Sequence, residues 1–217
     1  MSHPLFLKLQ PDKPEQMRLD IELHQSTIRK RIQTNAPIPI ADALISAYLD
    51  ILKFKWVKKK QYLVQPGFPN QDQIYVVEGA FRAFFLDREG KEQTIQFAIE
   101  DWFISDTRSY LTGEPASMFI EALENSVIAL LPKAEFEALC DAHPTWQKVS
   151  RILTQHGFAY AQKRMMSNLQ KSAEERYLDF AKNYAAIEQR VPRHALASFL
   201  NMSQEYLSKI RKKLMEE

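Results

Sequence analysis

The chain holds a single cysteine, Cys140, among its 217 residues. One thiol cannot close an internal disulfide, and alone it cannot hold an iron–sulfur cluster or a cysteine-based zinc site. Long apolar runs are also missing. The longest, Val127 to Pro132, has the length of a strand, well short of the ~20 residues of a membrane helix. The opening MSHPLFLKLQPDKPEQ lacks the basic stretch, apolar core and cleavage site of a secretory signal, so the chain reads as cytoplasmic with no membrane partner. Histidines are few and scattered (His3, His24, His143, His156, His194), all outside the strand-rich stretch described below, so a histidine metal triad inside a barrel is not expected. Cys140 and His143 lie one turn apart without a third partner in sequence, a spacing read as structural rather than nucleophilic. No cofactor, metal or catalytic residue is expected, and the chain is not expected to be an enzyme.

Acidic residues are absent where basic ones gather. Trp146 to Lys171 carries five basic residues and no acidic one, and Gln189 to Lys213 carries six against Glu205 alone. The middle is the reverse: from Gln65 to Asn125 four basic residues stand against eleven acidic ones. An acidic centre followed by basic helical segments fits a sensor or scaffold joined to a binder of polyanions.

Glycine is rare, and its placement is informative. Four of five glycines (Gly67, Gly79, Gly90, Gly113) punctuate short runs: YLVQ, QIYVV, AFRAFFL, EQTIQFAI, SMFIEAL and SVIALL. Phe81, Ala83 and Phe85 alternate with Arg82 and Phe84, and Ile95, Phe97 and Ile99 with Gln96 and Ala98, the period of two of a half-buried sheet. About eight short antiparallel strands predict a β-roll or jelly-roll barrel. Residues 14–34 read as a helix with Met17, Ile21, His24, Ile28 and Ile32 on one stripe, and 39–52 as a second. After the roll come a short helix from Lys133 to Asp141 and a long one from Pro144 to about residue 170. The long helix carries Val149, Ile152, Leu153, Ala159, Tyr160, Met166 and Leu169 near heptad spacing, interrupted by His156 and Lys163. Such a stripe must be covered, so Val149, Ile152, Leu153, His156, Ala159, Tyr160, Lys163 and Met166 are expected at a homodimer interface.

The C-terminal RVPRHALASFLNMSQEYLSKIRKKLMEE carries the most specific pattern. Pro192 presets a helix start, and Ala195, Leu196, Phe199 and Leu200 form an apolar face, with the small Ala197 where a second helix can cross. Asn201 suits a left-handed turn, Ser203 an N-cap, and Glu205 the first turn of the next helix, where the macrodipole favours an anion. Leu207, Ile210 and Leu214 would face inward, leaving Gln204, Glu205, Ser208, Lys209, Arg211 and Lys212 largely outward. Helix, turn and polar-faced helix predict a helix-turn-helix reader of double-stranded DNA, against the alternative of an ordinary helical hairpin.

This order of elements resembles the catabolite-activator (Crp/Fnr) superfamily of transcription regulators. The resemblance spans about residues 23–217 and is carried by IYVVEGAFRAFFLDREGKEQTIQFAIEDWF, by SYLTGEPASMFIEALENS and by the terminal hairpin. It implies an α+β fold: an N-terminal extension and helix (1–38), a cyclic-nucleotide-binding-like β-roll sensor (39–143), a dimerisation helix (144–171) and a helix-turn-helix domain (172–217). It also implies a palindromic operator, with RNA polymerase as a candidate partner. Gln204, Glu205 and Ser208 would then face the major groove with Lys209 beside them, Ser203 would cap the reading helix, and Arg193, Arg211 and Lys212 would contact phosphates.

The sequence departs from that family at the ligand. Cyclic-nucleotide binders of the superfamily carry Gly-Glu, then Arg-Ser or Arg-Thr, where this chain has Ser105-Asp106 and Ala116-Ser117, with Arg108 nearby. Without the phosphate cation a buried anion would stand unpaired, so cyclic nucleotide is not expected and the effector is left undefined. Phe81, Phe84, Phe85, Phe97, Trp102 and Phe103 either fill a core or line an apolar pocket. Two rivals therefore stay open: a sensor acting by protein contact, and a binder of an apolar small molecule.

Overall fold

The computed structural model describes residues 13–216, with side chains from 21 to 214; His3, the expected extension before Lys13 and the side chain of Met17 lie outside them. Two helices open the described chain, α1 (Lys13–Asn35) and α2 (Asp42–Asp50). The strands follow: β1 (Lys53–Val57), β2 (Tyr62–Val64), β3 (Asp72–Glu78), β4 (Phe81–Leu86), β5 (Glu92–Ala98), β6 (Phe103–Ile104), then after the short α3 (Thr107–Thr112), β7 (Phe119–Ala122) and β8 (Ser126–Pro132). They are succeeded by α4 (Lys133–Ala142), α5 (Pro144–Gln170), α6 (Ala173–Asn183), α7 (Ala185–Glu188), α8 (Arg193–Phe199) and α9 (Gln204–Glu216).

The strands form two antiparallel sheets of four, ordered β1-β8-β3-β6 and β2-β7-β4-β5. Between them lies an apolar core of Val57, Ile74, Val76, Phe81, Ala83, Ala98, Ile120, Ala122 and Ile128. Phe81 and Ala83 point inward while Arg82, opposite Glu121 and Phe97, points to the other face. That other face is buried as well. Phe97 packs with Tyr177, Phe180 and Phe199 of the C-terminal helices, so β5 is apolar on both sides rather than half-exposed. The outer face of the first sheet is covered by Ile28, Ile45, Leu49, Leu139, Trp146 and Val149. The sequence pattern missed β1, whose lysines disguise the alternation, and β6, which is too short to show one.

Gly79 is required by its neighbours. Its φ is +111°, and an added Cβ would lie 2.0 Å from the Ser126 hydroxyl. Among the described residues no helix is long and apolar enough to cross a membrane.

Candidate nucleic-acid interface and ligand cradle

The C-terminal hairpin forms as its residue types dictate. Pro192 caps α8, and Ala195, Leu196, Ala197 and Phe199 are buried. Asn201 takes φ +53°, the left-handed conformation that reverses the chain. Arg176 of α6 holds the reversal by donating to the carbonyls of Leu200 (2.9 Å) and Asn201 (3.1 Å). The Ser203 hydroxyl accepts the Tyr206 amide at 3.1 Å, capping α9. Leu207 and Ile210 are buried, while Gln204, Glu205, Ser208, Lys209 and Lys212 are exposed together on the opposite face. The Glu205 backbone amide, then the Ser203 hydroxyl, hold the Glu205 carboxyl below its usual range, so it is ionised at neutral pH. Arg193 is exposed at the start of α8.

One residue leaves the expected set. Arg211 turns back into the bundle, pairing with Glu188 at 2.8 Å and approaching the Tyr177 hydroxyl at 3.3 Å, which corrects its assignment to the phosphate-facing group. Tyr206 is exposed in the first turn of α9 and was not anticipated, because a tyrosine between two leucine-spaced positions looks like core.

Polar contacts fix these helices to the roll. Arg190 donates to both carboxylate oxygens of Glu100 (2.7 and 2.9 Å) and to Glu124. The Arg190 hydrogen bonds, joined by the Gly79 amide, lower the Glu100 pKa to about 2. On α8, the Ser198 hydroxyl accepts the Thr94 amide (2.8 Å) and donates to the Glu92 carbonyl (2.9 Å). Arg82, nearly buried, donates to Glu121 (2.7 Å) and Glu92 (2.6 Å) and lies 3.5 Å from the imidazole of His194. From α5, Arg164 lies 4.0 Å over the Phe199 ring and donates to the Ile95 carbonyl.

At the place where the family resemblance puts a nucleotide, the chain satisfies its own donors. Asp106 is buried, caps α3 through the Ser109 amide (3.1 Å), and accepts both the Ser117 amide (2.8 Å) and hydroxyl (3.2 Å). Burial raises its pKa, but the Ser117 and Ser109 hydrogen bonds outweigh that and leave it lowered. An internal carboxylate thus occupies the Ser109 and Ser117 donors. Ala116 is buried, and the β2–β3 loop lies across it: the Gly67 amide donates to the Ala116 carbonyl and the Ala116 amide to that of Phe68. Arg108 lies at the surface, paired with Glu114 at 2.6 Å. The six aromatics do not line one pocket. Phe81 lies between the sheets, Phe97 against the C-terminal helices and Phe103 against the N-terminal ones, while Phe85 is partly exposed.

The long helix α5 divides into two parts. Trp146 and Val149 are buried in their own chain, and the Trp146 indole donates to the Leu44 carbonyl at 3.1 Å. Val149 is therefore core, a correction to its expected place at a dimer seam. Ile152 is half-buried, and Tyr160 stacks edge-on with Tyr184 of the same chain. Leu153, His156, Ala159, Lys163 and Met166 are exposed. The most exposed apolar groups, Phe158, Met165 and Leu169, lie roughly half a turn around the helix from His156 and Lys163. With Gln155 and Gln162 they complete an alternating three–four spacing, the pattern of a coiled-coil seam.

Residues 54–143 match the cyclic nucleotide-binding domain family. By sequence, no curated protein matches the chain. The fold is similar to that of solved transcription regulators, among them one described as a regulator of the Crp/Fnr family, from Eubacterium rectale, that is 16% identical with a TM-score of 0.62, covering 81% of this chain and 84% of its own. Among solved structures, FixK2 of Bradyrhizobium japonicum is 17% identical with a TM-score of 0.65, covering 76% of this chain and 85% of its own. The c-di-GMP-responsive regulator CLP of Xanthomonas campestris is 14% identical with a TM-score of 0.61, over 81% and 92%. The catabolite activator protein of Thermus thermophilus is 18% identical with a TM-score of 0.52, over 82% and 84%.

Proposed function

We propose that the chain is a DNA-binding transcription regulator, not an enzyme, that reads a palindromic operator as a dimer and is not controlled by cyclic AMP. The observation that carries this reading is the outward face of α9. Gln204, Glu205, Ser208 and Lys209 stand exposed on a helix whose other face, Leu207 and Ile210, is buried. Gln suits adenine, an ionised Glu accepts from the cytosine amine, and Lys serves guanine or phosphate. Arg193 and Lys212 position the duplex through its backbone. In this reading, residues 39–143 sense, 144–171 dimerise and 172–217 bind DNA.

Dimerisation is assigned to the bare face of α5 through Phe158, Met165 and Leu169. A parallel pairing there places two copies of α9 about 34 Å apart, one turn of duplex. Phe158→Glu with Leu169→Glu should leave a folded monomer in analytical ultracentrifugation, while the parent sediments as a dimer at micromolar concentration. Cyclic AMP independence is supported by Ala116 and by Asp106 holding the Ser117 donors. Calorimetry with cyclic AMP should give no binding heat, and micromolar affinity would overturn that part.

The deciding experiment is selection of bound duplexes from a random pool. Enrichment of a two-fold symmetric site is expected. Recovery of no sequence, with the protein folded and dimeric, would favour a sensor acting through protein contacts.

A further inference from the structure

The passage from the long helix to the C-terminal helices takes only Lys171 and Ser172. Both are extended (φ −99°, ψ 144° and φ −62°, ψ 162°) between the end of α5 and the start of α6. Such a short link passes on the direction of one helix to the next only where its ends are held. A reciprocal cap holds the far end: the Ser172 hydroxyl accepts the Glu175 amide (3.2 Å), and the Glu175 carboxylate accepts the Ser172 amide (2.8 Å). Lys171 also pairs with Asp179 of α6.

Arg176, in the first turn of α6, holds the rest. Its guanidinium spreads over three main-chain carbonyls: Lys171 at the end of α5 (2.6 Å), Leu200 at the end of α8 (2.9 Å) and Asn201 in the turn before α9 (3.1 Å). Among the described residues its side-chain partners are all carbonyls, with no carboxylate to draw it away. Two helices end here, each with carbonyls that lack intrahelical partners and with the negative pole of its dipole, so a cation between them is favoured by both. The donors of a guanidinium lie in one plane at fixed angles, so the contact sets the angle between the two helix ends as well as their distance. Arg164 of α5 reaches the neighbouring Phe199 carbonyl at 3.4 Å and the Ile95 carbonyl of β5. It ties the same segment to the roll, whereas Arg176 stands at the link itself.

Building on the reading of the chain as a dimeric DNA binder, we propose that Arg176 sets the half-site spacing that the dimer accepts. In that reading α5 carries the two-fold axis and α9 the reading face, and Arg176 joins the end of the first to the turn that opens the second. It is a positioning residue, acting through the hairpin rather than on the bases. The separation of the two copies of α9 is then as definite as this junction. One base pair added at the operator centre moves the half-sites about 3.4 Å apart and turns one by roughly 35°. A fixed junction rejects that change, and a loosened one follows it.

The test uses the full chain. Duplexes are selected from a random pool separately with the parent, Arg176→Lys and Arg176→Met. The parent should return one spacing, and both variants the same half-site at mixed spacings. In equilibrium titrations the parent should prefer its own spacer by roughly tenfold over one a base pair longer or shorter, and the variants by about threefold or less. The penalty for a wrong base within a half-site should stay within about twofold of the parent's. Lysine keeps the charge and the stem but lacks the planar fork, so Arg176→Lys should lose spacer preference as Arg176→Met does. Full spacer preference in both variants overturns the proposal. So does loss of spacer and base preference together, or loss of folding in both variants, since either leaves Arg176 a purely structural role. A parent that selects its half-site at mixed spacings overturns this proposal and leaves the DNA-binding reading standing. A parent that selects no symmetric site fails that reading itself, and the proposal with it.

Discussion

The two helices of the C-terminal hairpin make an instructive pair. α8 has four of its seven residues buried and is held to β5 through Ser198, while Phe199 sits between Phe97, Phe180 and the Arg164 guanidinium. α9 buries Leu207 and Ile210 and leaves Gln204, Glu205, Ser208 and Lys209 to solvent. Helices adjacent in sequence therefore carry separate tasks. The first fixes the orientation of the hairpin on the roll, and the second presents chemistry outward. Stability and recognition should separate along the same line, and substitutions can test that separation.

The largest effect belongs to the α8 side. Phe199→Ala should destabilise the fold by roughly 3–5 kcal/mol in urea unfolding, because it opens a cavity and strips the ring beneath Arg164. Tyr206→Ala on α9 should stay within about 0.5 kcal/mol of the parent. If both cost the same, the proposed division between the helices is wrong.

Gly79→Ala comes next, at roughly 2–4 kcal/mol, because it combines a left-handed backbone with a clash against Ser126. It would also displace the amide that holds Glu100 at 2.8 Å, so the loosening should reach Arg190 and α8, read as faster hydrogen exchange in α8.

The Arg190 fork gives a smaller effect that depends on pH. Glu100 titrates at about 2 in the fold against 4.5 in its absence. A lowered folded value gives stability that is fully present above 4.5 and is lost as pH falls through about 2. Glu100 is a third exposed, so solvent screening limits the contribution to roughly 1–2 kcal/mol. The stability difference between the parent and Glu100→Gln should therefore shrink steadily from pH 5 to pH 2. A difference independent of pH would sink this account.

The smallest effect on stability falls at Glu205. Glu205→Ala should change unfolding by no more than about 0.5 kcal/mol, while relaxing preference at one base pair per half-site by roughly 1–3 kcal/mol. Nonspecific binding should hold steady or strengthen, since a charge repelled by phosphate is removed. Full discrimination retained in that variant would show that α9 does not read bases through this carboxylate.

Local chemistry made much of the molecule legible in advance. Glycines and alternating apolar runs predicted most strands, Pro144 marked the start of α5, and Asn201 and Ser203 marked the turn and cap before α9. These signals act within a few residues, so they survive without knowledge of the fold. Other features escaped because they depend on which side of an element meets which neighbour. Val149 fits a heptad stripe but packs in its own chain, because the first turns of α5 lie over the helices beneath the roll. Phe158 and Met165 fall outside the expected stripe, which is half engaged with its own chain, since periodicity alone cannot tell the two faces of a helix apart.

The sequence by itself determined the order of elements, the glycine-punctuated strands, and a C-terminal hairpin with one polar face, because propensity, capping and period are written in neighbouring residues. Only the tertiary structure decided that Arg211 is drawn back by Glu188, that Asp106 occupies the Ser117 donors, and that Arg190 ties the hairpin to Glu100 and Glu124. Each joins residues from different elements: 11 apart for Asp106 and Ser117, 23 for Arg211 and Glu188, and 90 for Arg190 and Glu100. A charge's partner is set by the packing that brings it within hydrogen-bonding distance, and a sequence records the charge without that distance.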